Sequence, residues 1–491
     1  MFESAELGHK IDKERYQQEV PELREALLNA QLDLLSADFP VIIIIGGVNG
    51  AGKGETVNIL NEWMDPRHIQ THALDTPTDE ELERPYMWRF WRTLPPKGKI
   101  GIFFESWYSS PIVNQVIGKT KNSELDQSME RITRFEKMLT DEGALILKFW
   151  FHLSKEKQRK RLKSLEKDKD TRWRVTKKDW AGFKLYDSFR KSSEHALRQT
   201  SSSEAPWTIL EGEDPRYRNL TVGKAVLQAL RMRLDTPIEK SNLLTLPPLI
   251  PAIDNLLLIN SVDLSKSIPK DKYEEELAEC ERRLALLTRH DNFRSLSVVA
   301  LFEGNDAAGK GGSIRRVTAA LDARQYRIIP VAAPSEDERA QPYLWRFWRH
   351  LPRKGRFAIF DRSWYGRVLV ERIEELCSQA DWMRAYGEIN DFEEQLVRNK
   401  TVIVKYWLTI SKEEQLRRFE EREETGFKRF KITEDDWRNR EKWAEYEIAV
   451  CDMIDRTSTE IAPWTLVEAN DKYYARIKVM KTLCKAIEKA L

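Results

Sequence analysis

Cysteine is scarce in this chain: Cys280, Cys377, Cys451 and Cys484 are the only four in 491 residues, and all lie far apart in the second half. That spacing supplies no CxxC pair, no Cys/His zinc cluster and no disulfide framework, so reduced thiols are expected. Histidine is nearly as sparse, with seven residues and no paired metal-ligand spacing. Long apolar runs are missing too; stretches such as VIIII at 41–45 fall far short of the roughly 20 residues of a membrane span. The opening MFESAELGHKIDKERY has neither the basic n-region nor the apolar h-region of a secretory signal. A cytoplasmic protein without a membrane partner is the expectation. Charge of one sign is also lacking, since the formal net charge is +2. Nothing global demands a nucleic-acid partner, none is expected, and any bound anion must be met by locally arranged cations. No GxSxG and no Cys/His nucleophile pairing occurs, which removes the common acyl-transfer classes.

What is present is a repeat. The composition, 41% hydrophobic and 33% charged, is that of a soluble globular chain long enough for two or more domains. A shift of 257 residues carries Lys53 in GGVNGAGKG onto Lys310 in EGNDAAGKGG, and likewise Trp107 onto Trp364, Trp150 onto Trp407 and Trp207 onto Trp464. In the same register PYMWRFWRTLP (85–95) overlays PYLWRFWRHLP (342–352) with nine of eleven positions identical. The chain is a tandem duplication. Between the copies, TPIEKSNLLTLPPLIPAIDN clusters prolines that stop helices and ladders. The division expected is therefore 1–235, a proline-containing linker at 236–268, and 269–491.

Each copy alternates short apolar strands with helices. In the second copy SVVALFEG, YRIIPVAAP, RFAIFDRS, TVIVKYWLTIS and PWTLVEA read as strands, and the first repeats them with VIIIIGG, HIQTHALD, KIGIFFES, ALILKFWFHLS and PWTILEG. Strands this apolar, separated by helices, predict an α/β fold: a five-stranded parallel sheet covered on both faces, in three α/β/α layers. Strand order is not legible in one sequence.

The chemistry sits at strand ends. Gly304-x-x-x-x-Gly309-Lys310 follows a strand and opens a helix, which is the context of a phosphate-cradling P-loop. Gly311 stands where the usual P-loop has its magnesium-holding Ser or Thr, and Ser313 comes two positions later. Another oxygen is then needed for Mg²⁺, and Asp306 inside the loop is the first candidate. Asp361 ends the third strand in FDRSWY, the place of a Walker-B carboxylate. Two carboxylates suit a hard cation shared with substrate phosphates. Arg346 and Arg349 gather with further cations and aromatics in PYLWRFWRHLPRKGR, a segment able to meet a polyanion. The charged stretch 411–437 reads as a helical lid, with Lys428, Arg429 and Lys431 over the transferred phosphate.

The copies are unequal. Asp306 corresponds to Asn49, Asp361 to Phe104, Arg362 to Glu105 and Glu388 to Arg131. The first copy keeps the glycine loop and Lys53 but lacks both proposed metal carboxylates, and should be catalytically silent. Its lid-equivalent, 154–180, has twelve Lys/Arg against five Asp/Glu, whereas 411–437 has seven against nine. That basic excess makes the first copy a candidate polyanion platform or a dimer scaffold, with Lys157, Arg159, Lys163 and Lys167 as its cations; a homodimer is a further expectation.

GNDAAGKGG, APSEDERAQPYLWRFWRHLP, FDRSWYGRVLVER and KYWLTISKEEQLRRF together resemble the family-2 polyphosphate kinases, across the second copy and in weakened form the first. The tandem arrangement resembles the two-domain members, which make ADP from AMP and inorganic polyphosphate. The resemblance implies a Mg²⁺-dependent phosphotransferase with catalysis in the second copy. It carries the loop aspartate and lysine onto Asp306 and Lys310, the DRS pair onto Asp361 and Arg362, and the basic lid onto Lys428, Arg429 and Lys431. Gly304, Gly309, Gly311, Gly312 and Ser313, with Arg346 and Arg349, are the expected substrate contacts. Two alternatives stay open: an ATP-dependent nucleoside monophosphate kinase, which DRSWY also resembles, and a non-catalytic polyphosphate- or nucleotide-binding protein.

Overall fold

Five apolar runs per copy become five strands in the computed structural model, which describes residues 1–236, 259, 261–424 and 434–491. Most of the expected linker, and the lid residues Lys428, Arg429 and Lys431, lie outside the described residues. The first set comprises β1 (Val41–Gly47), β2 (Ile69–Ala73), β3 (Ile100–Phe104), β4 (Leu145–His152) and β5 (Trp207–Glu211). The second comprises β6 (Ser297–Gly304), β7 (Tyr326–Pro330), β8 (Phe357–Asp361), β9 (Thr401–Thr409) and β10 (Trp464–Glu468). Every ladder is parallel, and the orders are β2-β3-β1-β4-β5 and β7-β8-β6-β9-β10, so the two sheets share one topology. Chain order reverses beside β1 and beside β6, which puts the ligand crevice of each sheet at the carboxyl end of its central strand.

The chain divides into two compact units. One gathers Met1–Pro77, Arg89–Glu239 and Pro334–Trp345; the other gathers Thr78–Trp88, Lys240–Ala333 and Arg346–Leu491. Each unit is one repeat with a short segment of the other. Within the first, Val41, Ile43 and Ile45 join a core with Leu27, Leu60 and Val226, while Ile42 and Ile44 are equally buried without joining that cluster. Alternate side chains of a strand point to opposite faces, so both faces are covered and the layers number three. After β4 come the helices Lys155–Lys167 and Lys177–Lys184, and after β9 the helices Lys412–Glu424 and Glu434–Glu441, in the place of the expected lid.

One charged network runs through each core. In the second unit the Lys405 ammonium, fully buried in the middle of β9, lies 2.7 Å from Glu393 and also donates to Tyr365 Oη (2.9 Å) and the Thr457 carbonyl (2.7 Å). Trp364 Nε1 (3.1 Å) and Tyr365 Oη (2.7 Å) both donate to Glu393 Oε1. Burial pushes the Lys405 pKa down and the facing carboxylate pulls it back up. The first unit repeats the arrangement with Lys148, Glu136, Trp107, Tyr108 and Thr200. Because both copies keep it, the network explains the Trp-Tyr pair of DRSWY and ESWY as scaffold: it anchors the loop that follows the third strand.

Candidate phosphoryl-transfer site

The phosphate loop begins where β6 must pass close to β9. Gly304 has φ +144°, and a Cβ there would come within 2.3 Å of the Leu408 carbonyl oxygen, so only glycine fits. Gly309, at φ +103°, turns the chain into the helix Lys310–Ala319, whose first turn carries Gly311 and Gly312 and buries Ser313. The loop thus ends on a helix N-terminus, with unpaired amides and a positive dipole. Lys310 Nζ curls back to donate to the carbonyls of Gly304 (2.6 Å) and Asn305 (3.3 Å).

β8 delivers the second half. Asp361 is its last residue, in register with Phe302 of β6, and its carboxylate has no hydrogen-bond or ion-pair partner among the described residues. Arg362 follows in the left-handed region (φ +65°), a conformation that costs energy in any residue with a Cβ. That twist aims the guanidinium at the loop, where Nη2 is 3.3 Å from Asp306 Oδ1. The other oxygen of Asp306 accepts from Asn439 Nδ2 at 2.9 Å, and Tyr446 Oη in turn donates to Asn439 Oδ1 at 3.2 Å. Asp306, Lys310 and Arg362 line one small cavity of about 80 Å³ with Glu303, Asn439 and Tyr446.

The first unit has the same backbone and a different chemistry. Gly47 and Gly52 keep their positive φ, and Glu105 keeps the left-handed turn at φ +63°. There Lys53 Nζ donates to the Gly47 carbonyl at 2.9 Å and sits 3.4 Å from Glu105 Oε1, so its charge is met inside the protein. Asn49 and Phe104 occupy the positions of Asp306 and Asp361. Of the expected platform cations, Lys157 is held by Glu211 (2.8 Å) and Glu213 (2.6 Å), while Arg159, Lys163 and Lys167 are exposed.

The polyphosphate kinase 2 (PPK2) family model matches twice, over residues 10–237 and 267–491, which together span both repeats. The chain belongs to the polyphosphate kinase 2 family. It is 59% identical to a Pseudomonas aeruginosa protein named polyphosphate:AMP phosphotransferase, over 100% of this chain and 99% of that one. A Pseudomonas syringae pv. tomato protein of the same name is 56% identical, again over 100% of this chain and 99% of its own length. Among solved structures, a candidate polyphosphate kinase 2 from Pseudomonas aeruginosa superposes with a TM-score of 0.90 at 57% identity, covering 100% of this chain and 99% of that one.

In this polyphosphate kinase 2 chain the loop of the second unit also borders a groove of about 190 Å³ that the sequence did not announce. It runs past Gly309 and Ser313 and is lined by Arg418, Arg422, Lys472 and Arg476. Arg418 is buried and clamps the loop, donating to the carbonyls of Ala307 (2.9 Å), Ala469 (2.7 Å) and Asn470 (2.7 Å). The remaining three cations are not so clamped to the loop. In the first unit the groove is plugged: Arg218 stands where the second has Ala475, and it lies so close to Gly52 that a Cβ there would be 2.0 Å from its Nη1. Arg218 is in turn held by Glu55 (2.7 Å), Thr56 Oγ1 (3.0 Å) and the Gly212 carbonyl (2.9 Å).

Two expected contacts fall elsewhere. Arg346 Nη2 donates to the Ala332 carbonyl at 2.9 Å, and the repeat partner Arg89 makes the same bond to Asp75 at 2.9 Å. A contact present in both copies reads as scaffold. Arg349 is exposed, and neither arginine lines the cavity of Asp306 and Lys310.

Glu303 is the residue that sequence reasoning missed. It hides at the end of an apolar strand run, and its repeat partner is Gly46. Burial pushes its pKa up, opposed by the Ser363 hydroxyl, which donates to Oε1 at 2.8 Å, and by the charges of Lys310 and Arg362. A carboxyl raised in the folded state is stabilising when protonated and penalised when ionised, so the penalty appears as pH rises through the raised pKa. Glu303→Gln keeps an acceptor for Ser363 without the charge. It should raise stability at pH 7.5 by on the order of 1 kcal/mol, or about 2–4 °C in Tm, and the gain should vanish near pH 4. Activity should fall at the same time, because the carboxylate faces Lys310 and Arg362. Thermal unfolding at the two pH values, with kcat beside it, checks both halves.

Proposed function

We propose that this chain moves the terminal phosphoryl group of inorganic polyphosphate to AMP, giving ADP, and that the chemistry occurs in the second unit. The observation that carries this is the asymmetry between two otherwise matching loops: Asp306, Lys310, Asp361 and Arg362 in one, against Asn49, Lys53, Phe104 and Glu105 in the other. Both relatives matched end to end, duplication included, carry the name polyphosphate:AMP phosphotransferase. In the reaction, the bond from the terminal phosphorus to its bridging oxygen breaks as a bond to an AMP phosphate oxygen forms. The shortened chain leaves with the bridging oxygen. The acceptor oxygen is already ionised at neutral pH, so no strong general base is needed.

Catalysis is then positioning and charge stabilisation. The loop amides and Lys310 hold the donor end, and Arg362 spreads its charge over the transferred group. Asn439 and Tyr446 fix the rotamer of Asp306. The donor set also fits Mg²⁺: Asp306 and Asp361 offer two hard carboxylates, and no cluster of three or more His, Cys, Asp or Glu occurs among the described residues. A cation that takes one or two carboxylates and completes its shell with water and substrate phosphates matches that supply. Bound there, Mg²⁺ would offset the mutual repulsion of the two anionic substrates.

The cationic groove suits the inner phosphates of the donor. Replacing both Lys472 and Arg476 by alanine should raise KM for long-chain polyphosphate by about tenfold or more, on the order of 1 kcal/mol per lost charge-assisted contact. KM for AMP should not move. A chain-length series in steady-state kinetics checks this. The donor itself is tested by ADP formation from AMP with Mg²⁺ and polyphosphate against ATP; activity with ATP alone would establish the nucleoside monophosphate kinase reading instead. Among the described residues no helix is long and apolar enough to cross a membrane.

A further inference from the structure

The first unit has a roomy cavity, and it stands over the loop that lacks the two carboxylates. Its volume is about 540 Å³, against about 80 Å³ for the cavity over the active loop of the second unit. Substitutions at matching positions explain the difference. Arg438, Asn439 and Lys442 of the second unit are Ala181, Gly182 and Leu185 in the first, Glu374 is Ile117, and Tyr446 is Phe189. Five charged or hydrogen-bonding side chains have been exchanged for small or apolar ones. The walls are now the apolar face of the helix Ser109–Val116 and the rings of Trp150, Tyr186, Phe189 and Trp207.

Two buried polar atoms in this cavity have no partner among the described residues. Gln158 is 4% exposed; its Nε2 donates to the Asn49 carbonyl at 2.9 Å, but its Oε1 accepts nothing. In the second unit the equivalent Gln415 Oε1 accepts from Arg440 Nη1 at 3.2 Å, and Phe183 has taken that arginine's place. Trp150, 3% exposed, has an unpartnered indole N–H, as does its repeat partner Trp407. Buried donors and acceptors are rarely left unpaired in a native protein, and an apolar pocket of this size with a few convergent polar groups is the usual form of a small-molecule site. Charge does not define the ligand, because Lys53 is already met by Glu105 and the other cation of the lining, Lys178, is exposed to solvent.

We infer that the first unit binds an uncharged aromatic heterocycle, of nucleoside size, that accepts from Trp150 Nε1 and donates to Gln158 Oε1 while its ring packs among the aromatic walls. The pocket is separate from the residues assigned to transfer in the second unit. Adenosine is the probe, titrated calorimetrically into the full-length chain with AMP present at saturation to occupy the acceptor site. Saturable binding at one site, with a Kd of about 1 mM or tighter, is expected. Gly182→Trp should weaken it at least tenfold, since Gly182 lines the cavity and a Cβ added there meets no atom within 4 Å. ADP formation by that variant should stay within about twofold of the unaltered chain. Gln158→Leu should weaken adenosine about five- to tenfold and decides the matter if Gly182→Trp does not fold. No saturable binding, binding indifferent to both changes, or a loss of ADP formation parallel to the loss of adenosine binding would each overturn the inference.

Discussion

Asp361→Asn should lower kcat for ADP formation by on the order of 100- to 1000-fold while leaving the fold intact. The Asp361 carboxylate ends β8 beside the phosphate loop, and it spends neither oxygen on any described neighbour. A group that supports no internal bond contributes little to stability, so Tm should shift by no more than a degree or two, in keeping with substitutions away from core and network. On the function proposed above, its value lies in the charge it would offer to Mg²⁺ and through it to the phosphates. Asp306→Asn is a less clean test, because Asp306 also holds Arg362 and Asn439. Steady-state kinetics with polyphosphate and AMP, beside a thermal unfolding curve, separates the two effects. Near-normal turnover would remove Asp361 from the site.

Lys405→Met should be the most damaging single change to stability in the second unit. Lys405 and Glu393 are 0% and 1% exposed, and their 2.7 Å contact is supported by Tyr365, Trp364 and Thr457. Removing the cation leaves a buried carboxylate with only neutral donors, at about 3–5 kcal/mol, which corresponds to a fall in Tm of about 10 °C. Pairing it with Glu393→Leu should recover part of the loss, since replacing both charges removes the unpaired one. Calorimetric unfolding of the single and double variants measures this. Equal losses in the two would mean that packing, not charge, holds the site.

Much of this was legible before any coordinate. The constant shift exposed the duplication, the apolar runs marked the ten strands of the two sheets, and the glycines before Lys310 marked the turn from strand into helix. What stayed hidden did so for a physical reason. A residue at the end of an apolar strand reads as core, so Glu303 passed unnoticed, although its exchange for Gly46 was visible in the repeat. Lys405 and Lys148, each mid-strand in a buried run, are the same signal twice: a charge at a core position needs a partner, and the partner 12 residues upstream cannot be recognised without the fold. That Arg346 donates to the Ala332 carbonyl is likewise invisible in composition. The groove depends on Ala475 being small where Arg218 is large, an exchange between helices whose meaning appears only when Gly52 and Gly309 are seen beside them.

On the proposed function, only one of the two matching phosphate loops works. Lys310→Ala and Lys53→Ala, made separately in the full-length chain, test it most directly by ADP formation from polyphosphate, AMP and Mg²⁺. Lys310→Ala should lose at least about 100-fold, and Lys53→Ala should change within about twofold, because the Lys53 cation is already taken up by Glu105 and the Gly47 carbonyl. Comparable losses in the two variants, or a larger loss for Lys53→Ala, would contradict it.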